Sequence, residues 1–261
     1  MKKVMKWIGI VLVGLLSLIV LALLGVYFLS NQRINKQYDI QPEAVAIPTD
    51  AASLAEGKRI FTFRGCVDCH KEDGRGSVFI DDPALGRIAA SNLTAGLGGV
   101  APAYADLDWV RAILHGVGPD GLPLQVMPSQ EYNGLNDADL GAVIAYIKSL
   151  PPVDNKLPPN QLGLLGRALT VANQLPLLPA EEIDHNAPRP VVIASSETVE
   201  YGAYLAQSCT GCHGAGLSGG PIPGVPAEPP YPANLTPDTE TGLAGWQRID
   251  LGVTKMSFNV V

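Results

Sequence analysis

The pattern Cys-x-x-Cys-His occurs twice, as Cys66, Cys69, His70 and as Cys209, Cys212, His213, and the two copies consume every cysteine of the 261-residue chain. On one helical turn, side chains at i and i+3 point the same way and the next residue lies close to them on that face. Four cysteines in an exported chain would ordinarily suggest two disulfides. A disulfide, however, makes no demand on the residue after the second cysteine. A zinc ribbon gathers four thiolate or imidazole ligands around one ion, usually as two such pairs; here each pair sits alone in its own copy and would be half a site. A redox CxxC opens a helix after a strand in a βαβ unit, and no apolar strand precedes either motif.

The arrangement suits covalent attachment of haem c. Thiols at i and i+3 can form thioethers with the two vinyl groups of a porphyrin, while the histidine at i+4 reaches the iron. The two copies therefore point to two covalently bound haem c groups, with His70 and His213 as iron ligands.

The repeat extends beyond the cysteines. "AEGKRIFTFRGC" aligns loosely with "EYGAYLAQSC", pairing Gly57 with Gly202 across a two-residue gap. "SNLT" at Ser91 to Thr94 matches "ANLT" at Ala233 to Thr236; Asn92 lies 26 residues after Cys66 and Asn234 lies 25 after Cys209. The steps of 12 and 16 from Asn92 to Tyr104 and Asp108 recur from Asn234 to Trp246 and Asp250. The module is duplicated. Asn-Leu-Thr is formally a glycosylation sequon, but its matched offset reads as a structural turn of the module.

Such an iron needs a further axial ligand. Met1 and Met5 belong to the apolar N-terminus, which leaves Met127 and Met256. A lone methionine is ordinarily a core filler. Met127 stands between a Gly/Pro-rich loop and a helix capped by Asn136, striped by Leu140, Val143, Ile144, Ile147 and Leu150, and stopped at Pro151. Beside a haem motif it becomes the axial candidate. The second module departs here: Asn92 to Met127 is 35 residues, Asn234 to Met256 only 22, and "GVTKMSFNVV" no longer matches the first copy. Either the ending is cut short or shifted in frame from a longer parent, or Met256, or no protein atom, completes the second iron.

The run "CVDCH … MPSQEYNGLNDADLGAVIAYIKSLPP" resembles a class I cytochrome c, and "SNLT … DWVRAILHGVGPDGLPLQVMP" is similar to the cytochrome subunits of membrane-bound alcohol and gluconate dehydrogenases and their anchored di-haem relatives. The resemblance covers residues 51–152 fully and 197–251 in part. It implies an all-α fold of two tandem cytochrome c domains, the second incomplete, after an N-terminal transmembrane helix. The expected divisions are an anchor at 1–32, a linker at 33–50, domain 1 at 51–152, a Pro-rich linker at 153–196 and domain 2 at 197–261. In that fold the first helix would start at Ser53, with Ser53 and Glu56 as a capping box. Gly57 would allow close crossing near Tyr146. The family further implies that the Pro83 carbonyl bonds the other nitrogen of His70, and Arg87 would meet a haem propionate or stay solvated.

Ile8 to Leu29 is uncharged and long enough to span a bilayer's hydrocarbon core. Lys2, Lys3 and Lys6 precede it, so by the positive-inside rule the rest of the chain is exported, although Arg33 and Lys36 weaken the asymmetry. A cleaved signal peptide would have a shorter apolar region ending in a small-x-small site. The expectation is a single-pass anchor in a bacterial cell membrane, with the haem domains on the extracytoplasmic, periplasmic side. The net charge of −7 and the lack of a Lys/Arg block argue against a nucleic-acid partner. Abundant glycine and proline suggest short helices, long turns and little strand.

Elsewhere, His115 closes a helix that starts near Asp106 or Asp108 and stops at Gly116, where it complements the dipole. His185 is expected exposed in a proline-flanked linker. Leu162 to Leu175 reads as a short amphipathic helix that packs on a module or lies along the membrane, and "GGPIPGVPAEPPYPANLTP" as a rigid loop. No Ser/His/Asp set, phosphate loop or carboxylate pair suggests catalysis by the protein alone. The resulting expectation is electron transfer to redox partners (a dehydrogenase subunit, another cytochrome or an oxidase), as a free carrier or as a dehydrogenase subunit. The alternatives are a di-haem peroxidase with an open second iron and a haem-based sensor.

Overall fold

In the computed structural model the described residues are 2–222 and 230–246. They fall into two compact units, one ending at Ile193 and the other beginning at Ala194.

The first unit is organised by the crossing of helix α2 (Ala51–Phe63) with helix α6 (Asp137–Ser149). Asn136 caps α6 as its sequence position suggests, its Oδ1 accepting from the Asp139 amide at 2.9 Å. Leu140, Val143, Ile144 and Ile147 form the buried stripe. Leu150 ends the helix in an extended conformation, which the following Pro151 favours. Gly57 lies where the two helices touch: a Cβ there would come within 2.0 Å of the Ala142 carbonyl oxygen and 2.8 Å of the Tyr146 Cβ. Nothing larger than a hydrogen fits.

The N-terminus of α2 differs from the expectation. Asp50, not Ser53, is the cap, its carboxylate accepting from the Ser53 amide at 3.0 Å and hydroxyl at 2.7 Å. Asp50 begins the helix before Ser53 is reached, so Ser53 already lies in the first turn. Glu56 pairs instead with Arg59, at 2.8 Å.

The all-α expectation also needs correcting. The unit is mostly helical, but β1 (Ser77–Asp82), β2 (Gly86–Ala90) and β3 (Gln161–Leu162) form a three-stranded antiparallel sheet in that order. The run "DDPALGR", which holds Pro83 and Arg87, is the hairpin turn with the strand ends beside it. Asp82 Oδ1 accepts from the amides of Ala84 and Leu85, each at 2.8 Å, and Gly86 supplies a φ of 111°. Strand β3 and the Pro-rich segment after it fold back onto this hairpin. Ile88 on β2 is buried with Leu177 and Leu178, and Ile34, Leu162 and Leu175 pack around them.

Between hairpin and α6 lie α4 (Asp106–His115) and α5 (Ser129–Tyr132). Helix α4 starts and stops where the sequence places it, with Gly116 in the left-handed region at φ 64°. Helix α7 (Leu164–Val171) is the expected short helix, and it packs against α1 (Lys2–Ile34). Helix α1 is the one described helix long and apolar enough to cross a membrane, and its side chains are exposed from Lys2 through Leu24.

The second unit contains α8 (Val199–Ala206), capped by the Thr198 hydroxyl, and α9 (Thr210–His213). Among the described residues a Cβ at Gly202 meets nothing within 4 Å. Met256 and Asp250 lie outside the described residues, as does part of the expected rigid loop.

The contact at Gly57 makes a direct prediction. Gly57→Val forces the helices apart and costs roughly 1–3 kcal/mol or more, the usual penalty of overpacking. Chemical unfolding of the variant against the wild type measures it.

Candidate functional site

Helix α3 (Cys66–His70) is one turn of helix entered through Gly65, which adopts a left-handed φ of 75°. This turn brings Cys66 and His70 to the wall of a largely apolar cavity. Phe61 of α2, Trp109 of α4, Tyr132 of α5 and Val143 and Ile147 of α6 line the same cavity, and Met127 lines it as well. The helix crossing at Gly57 thus sets the width of the space that the cysteine motif opens onto. Cys69 is half-buried at the edge, outside this lining.

His70 is fixed by one bond. Its Nδ1 lies 2.8 Å from the Ser91 carbonyl oxygen, so Nδ1 carries the hydrogen and Nε2 keeps its lone pair. Burial pulls the imidazole pKa below its ordinary value, against the opposing effect of the Ser91 bond. The ring is therefore neutral, the form that ligates metals. The expected partner was the Pro83 carbonyl, but Pro83 sits in the hairpin turn. Ser91 comes directly after β2 and is the residue ahead of Asn-Leu-Thr.

That tripeptide builds the turn which presents the carbonyl. Asn92 is fully buried; its Oδ1 accepts from the Thr94 amide at 3.0 Å and hydroxyl at 2.9 Å, while its Nδ2 donates to the Val153 carbonyl at 2.7 Å. A buried asparagine with its amide so engaged is a structural element. The turn also ties the haem motif to the chain emerging from α6, since the Val153 amide donates to Thr94 Oγ1 at 2.9 Å.

Met127 faces the cavity through a strained backbone. Val126 has φ 65°, a left-handed conformation that is rare for a β-branched residue. Its amide donates to the Leu177 carbonyl at 2.8 Å and its side chain packs in the Ile88 cluster, so the Pro-rich segment holds the strain. Nothing in the local sequence signals this, because the partner lies some fifty residues away.

The surroundings of the two thiols do not activate them. Burial pushes the Cys66 thiol up to about 12, and burial with the neighbouring Asp68 raises that of Cys69. Reactive and metal-binding cysteines have lowered values. The Cys66 thiol, a neutral imidazole with fixed tautomer and a thioether around one apolar cavity, with the Cys69 thiol beside it on the same turn, form a donor set that fits haem c. Arg87 is not part of it; on β2 it pairs with Asp81 at 3.1 Å, away from the lining residues.

The second motif repeats this construction within its own unit. Nδ1 of His213 lies 2.6 Å from the Ala233 carbonyl oxygen. Asn234 Oδ1 accepts from the Thr236 amide at 2.9 Å and hydroxyl at 2.7 Å. The amide of Gly76 donates to the His70 carbonyl at 2.9 Å, and that of Gly219 to the His213 carbonyl at 2.8 Å. Cys209 caps α9 and Cys212 is exposed.

The other two histidines are not solitary. His115, at the end of α4, and His185 approach each other with Nδ1 atoms 3.2 Å apart, and His185 Nε2 lies 3.0 Å from the Ala180 carbonyl oxygen. His185 is half-buried, edge-on to Tyr38, because the segment around it packs on α4. The expectation of an exposed linker histidine is thereby overturned.

Comparison with known proteins agrees with this geometry. Residues 54–151 match the family model described as cytochrome c; this part of the chain is a cytochrome c domain. The chain is 29% identical over 178 residues to a subunit of the nicotinate dehydrogenase of Pseudomonas putida, covering 62% of this chain and 14% of that protein. It is 32% identical over 126 residues to the fructose dehydrogenase cytochrome subunit of Gluconobacter japonicus, covering 44% of this chain and 26% of that one. The chain thus spans well under two thirds of the length of either relative.

The histidine pair predicts a pH dependence. Burial, then the charges of His185, Arg189 and Arg111, lower the His115 pKa from 6.5 to about 4, and burial also lowers that of His185. The unfolded chain therefore binds more protons between these values, so the stabilisation is present above pH 6.5 and is lost as pH falls toward 4. Glu131, whose pKa burial raises, works in the opposite direction. Thermal midpoints across this window should fall more steeply for the wild type than for the His115→Asn variant.

Proposed function

We propose that this chain is a membrane-anchored c-type cytochrome carrying two covalent haems, which transfers single electrons on the extracytoplasmic side of a bacterial membrane. Cys66, Cys69 and Cys209, Cys212 are the proposed thioether residues. His70 and Met127 are the proposed axial ligands of the first iron and His213 the protein ligand of the second. The observation that carries this proposal is the duplicated histidine geometry: both imidazoles come directly after a CxxC pair, and both meet the carbonyl that precedes Asn-Leu-Thr.

When bound, haem supplies a one-electron iron couple, and His/Met ligation raises its potential. The chain's own residues supply the rest. Ser91 and Ala233 hold the imidazole tautomer, and the apolar walls around Met127 keep water from the first site. Were His70 and Met127 both to hold the first iron, that site would suit electron transfer rather than substrate binding. The two relatives named as dehydrogenase subunits support a dehydrogenase as the partner that supplies electrons. The exposed apolar run of α1, preceded by lysines, supports the anchor.

Counting haems tests the proposal. Pyridine haemochrome assay with intact mass on the matured protein should give two covalent haems per chain, and one after Cys209→Ala with Cys212→Ala; a wild type with one would refute the di-haem proposal. Met127→Leu should leave the haem count intact, lower the potential of one haem and open that iron to carbon monoxide. Redox titration and ligand-binding spectra check both effects.

A further inference from the structure

Helix α1 does not leave the first unit as a free tether. Its last turn is docked: Ile34 packs into the Ile88 cluster, and Ser30 is fully buried. Arg33 pairs with Glu181 and donates to the Thr170 carbonyl. Arg167 of α7 donates to Ser30 Oγ at 2.9 Å and lies over the Tyr27 ring, 4.6 Å from its centroid.

These contacts set a register. Arg167 meets Ser30 and Thr170 meets Arg33, so α7 runs alongside α1 in the same direction. The first residues of α7, Leu164 and Leu165, therefore lie below the level of Ser30, on the side of the apolar run. Burial along α1 agrees independently: Gly25 and Val26 are half-buried, whereas residues 2–24 are exposed. With Arg167 level with Ser30, Leu164 and Leu165 stand beside Tyr27 and Phe28, inside the uncharged stretch that ends at Leu29. At the helical rise this is up to about 3 Å.

Despite that position, Leu164 and Leu165 are 55% and 47% exposed. Beside them the hairpin turn presents Pro83 and Ala84, both exposed, and is tied to α7 by the Leu165 amide donating to the Ala84 carbonyl at 3.1 Å. The neighbouring Asp82 carboxylate is engaged by two backbone amides. Above this apolar edge come Arg167, Arg33 and Lys36 with Tyr38, and Tyr27 stands beside it under Arg167, the cationic and aromatic side chains that suit a headgroup layer.

We infer that Leu164 and Leu165, with the Pro83–Ala84 turn, form a foot seated in the outer lipid interface beside α1, which holds the first haem domain at a fixed height and orientation on the membrane. The inference rests on α1 being a membrane span. A depth of up to about 3 Å seats these side chains at the headgroup boundary of the layer that interfacial helices occupy. Continuity with α1 selects lipid as the occupant, because lipid surrounds a spanning helix at that level.

Fluorescence quenching in vesicles tests it on the full, haem-loaded chain, whose own cysteines are consumed by thioethers. An environment-sensitive dye is placed in turn at Leu165→Cys and, within α1, at Leu18→Cys. The expected result is that lipids with nitroxides near the headgroup dim the dye at 165 several-fold more than aqueous iodide does, while deep nitroxides dim the dye at 18. If 18 is quenched from the bilayer but 165 is open to iodide and insensitive to lipid, the foot is refuted and the anchor stands. If 165 is shielded from both quenchers, a protein surface covers it and the inference is equally wrong. If 18 escapes the deep nitroxides, the membrane span itself fails, and the foot with it.

Discussion

One hydrogen bond organises each candidate site: the imidazole Nδ1 of His70 against the Ser91 carbonyl, and that of His213 against Ala233. A histidine ligand can present either nitrogen, and a partner on one nitrogen selects the other. The chain therefore devotes a buried asparagine, a threonine and a sharp turn to the placement of one carbonyl. Because Asn92 and Thr94 also tie Val153 to the site, tautomer control in the first unit is coupled to the helix that closes the cavity. The chemistry of the imidazole and the packing of α2 on α6 are thus parts of one construction.

The two units share this local machinery and differ in what surrounds it. In the first, the turn adjoins an apolar cavity that Met127 also lines and that lies between the helices crossing at Gly57. In the second, Asn234 Nδ2 donates to Thr241 Oγ1 at 2.9 Å instead of to a chain returning from a crossing helix. The imidazole can be fixed locally, within some twenty residues of sequence. An axial partner and a water-excluding wall come from distant segments, so they are specific to each unit.

This division explains what was legible in the sequence. CxxCH, the Asn136 cap, the α6 stripe and the Gly116 stop rest on spacing along one helix, which a sequence displays directly. The matched offset of Asn-Leu-Thr marked a structural turn, yet the residue before it, whose carbonyl does the bonding, carries no side-chain signal: serine in one copy and alanine in the other. The hairpin escaped because Asp82, Pro83 and Gly86 are equally at home in any turn, and β1 shows no clean inside–outside alternation. The strain at Val126, the burial of His185 and the docking of α7 on α1 all depend on the Pro-rich segment folding back, a long-range event with no periodicity to read.

In the first unit the candidate site, the closing helix and the end of α1 are joined through one cluster of contacts. Val126 next to Met127 leans on Leu177, and Ile34 at the end of α1 packs in the same cluster. The central claim is that two imidazoles are held by backbone carbonyls so that their Nε2 atoms serve as iron ligands. Nitrogen-15 NMR of the reduced, histidine-labelled holoprotein tests this most directly. The account predicts that two of the four histidines show a protonated, slowly exchanging Nδ1 and a metal-bound Nε2, insensitive to pH. Four imidazoles that titrate freely would contradict it.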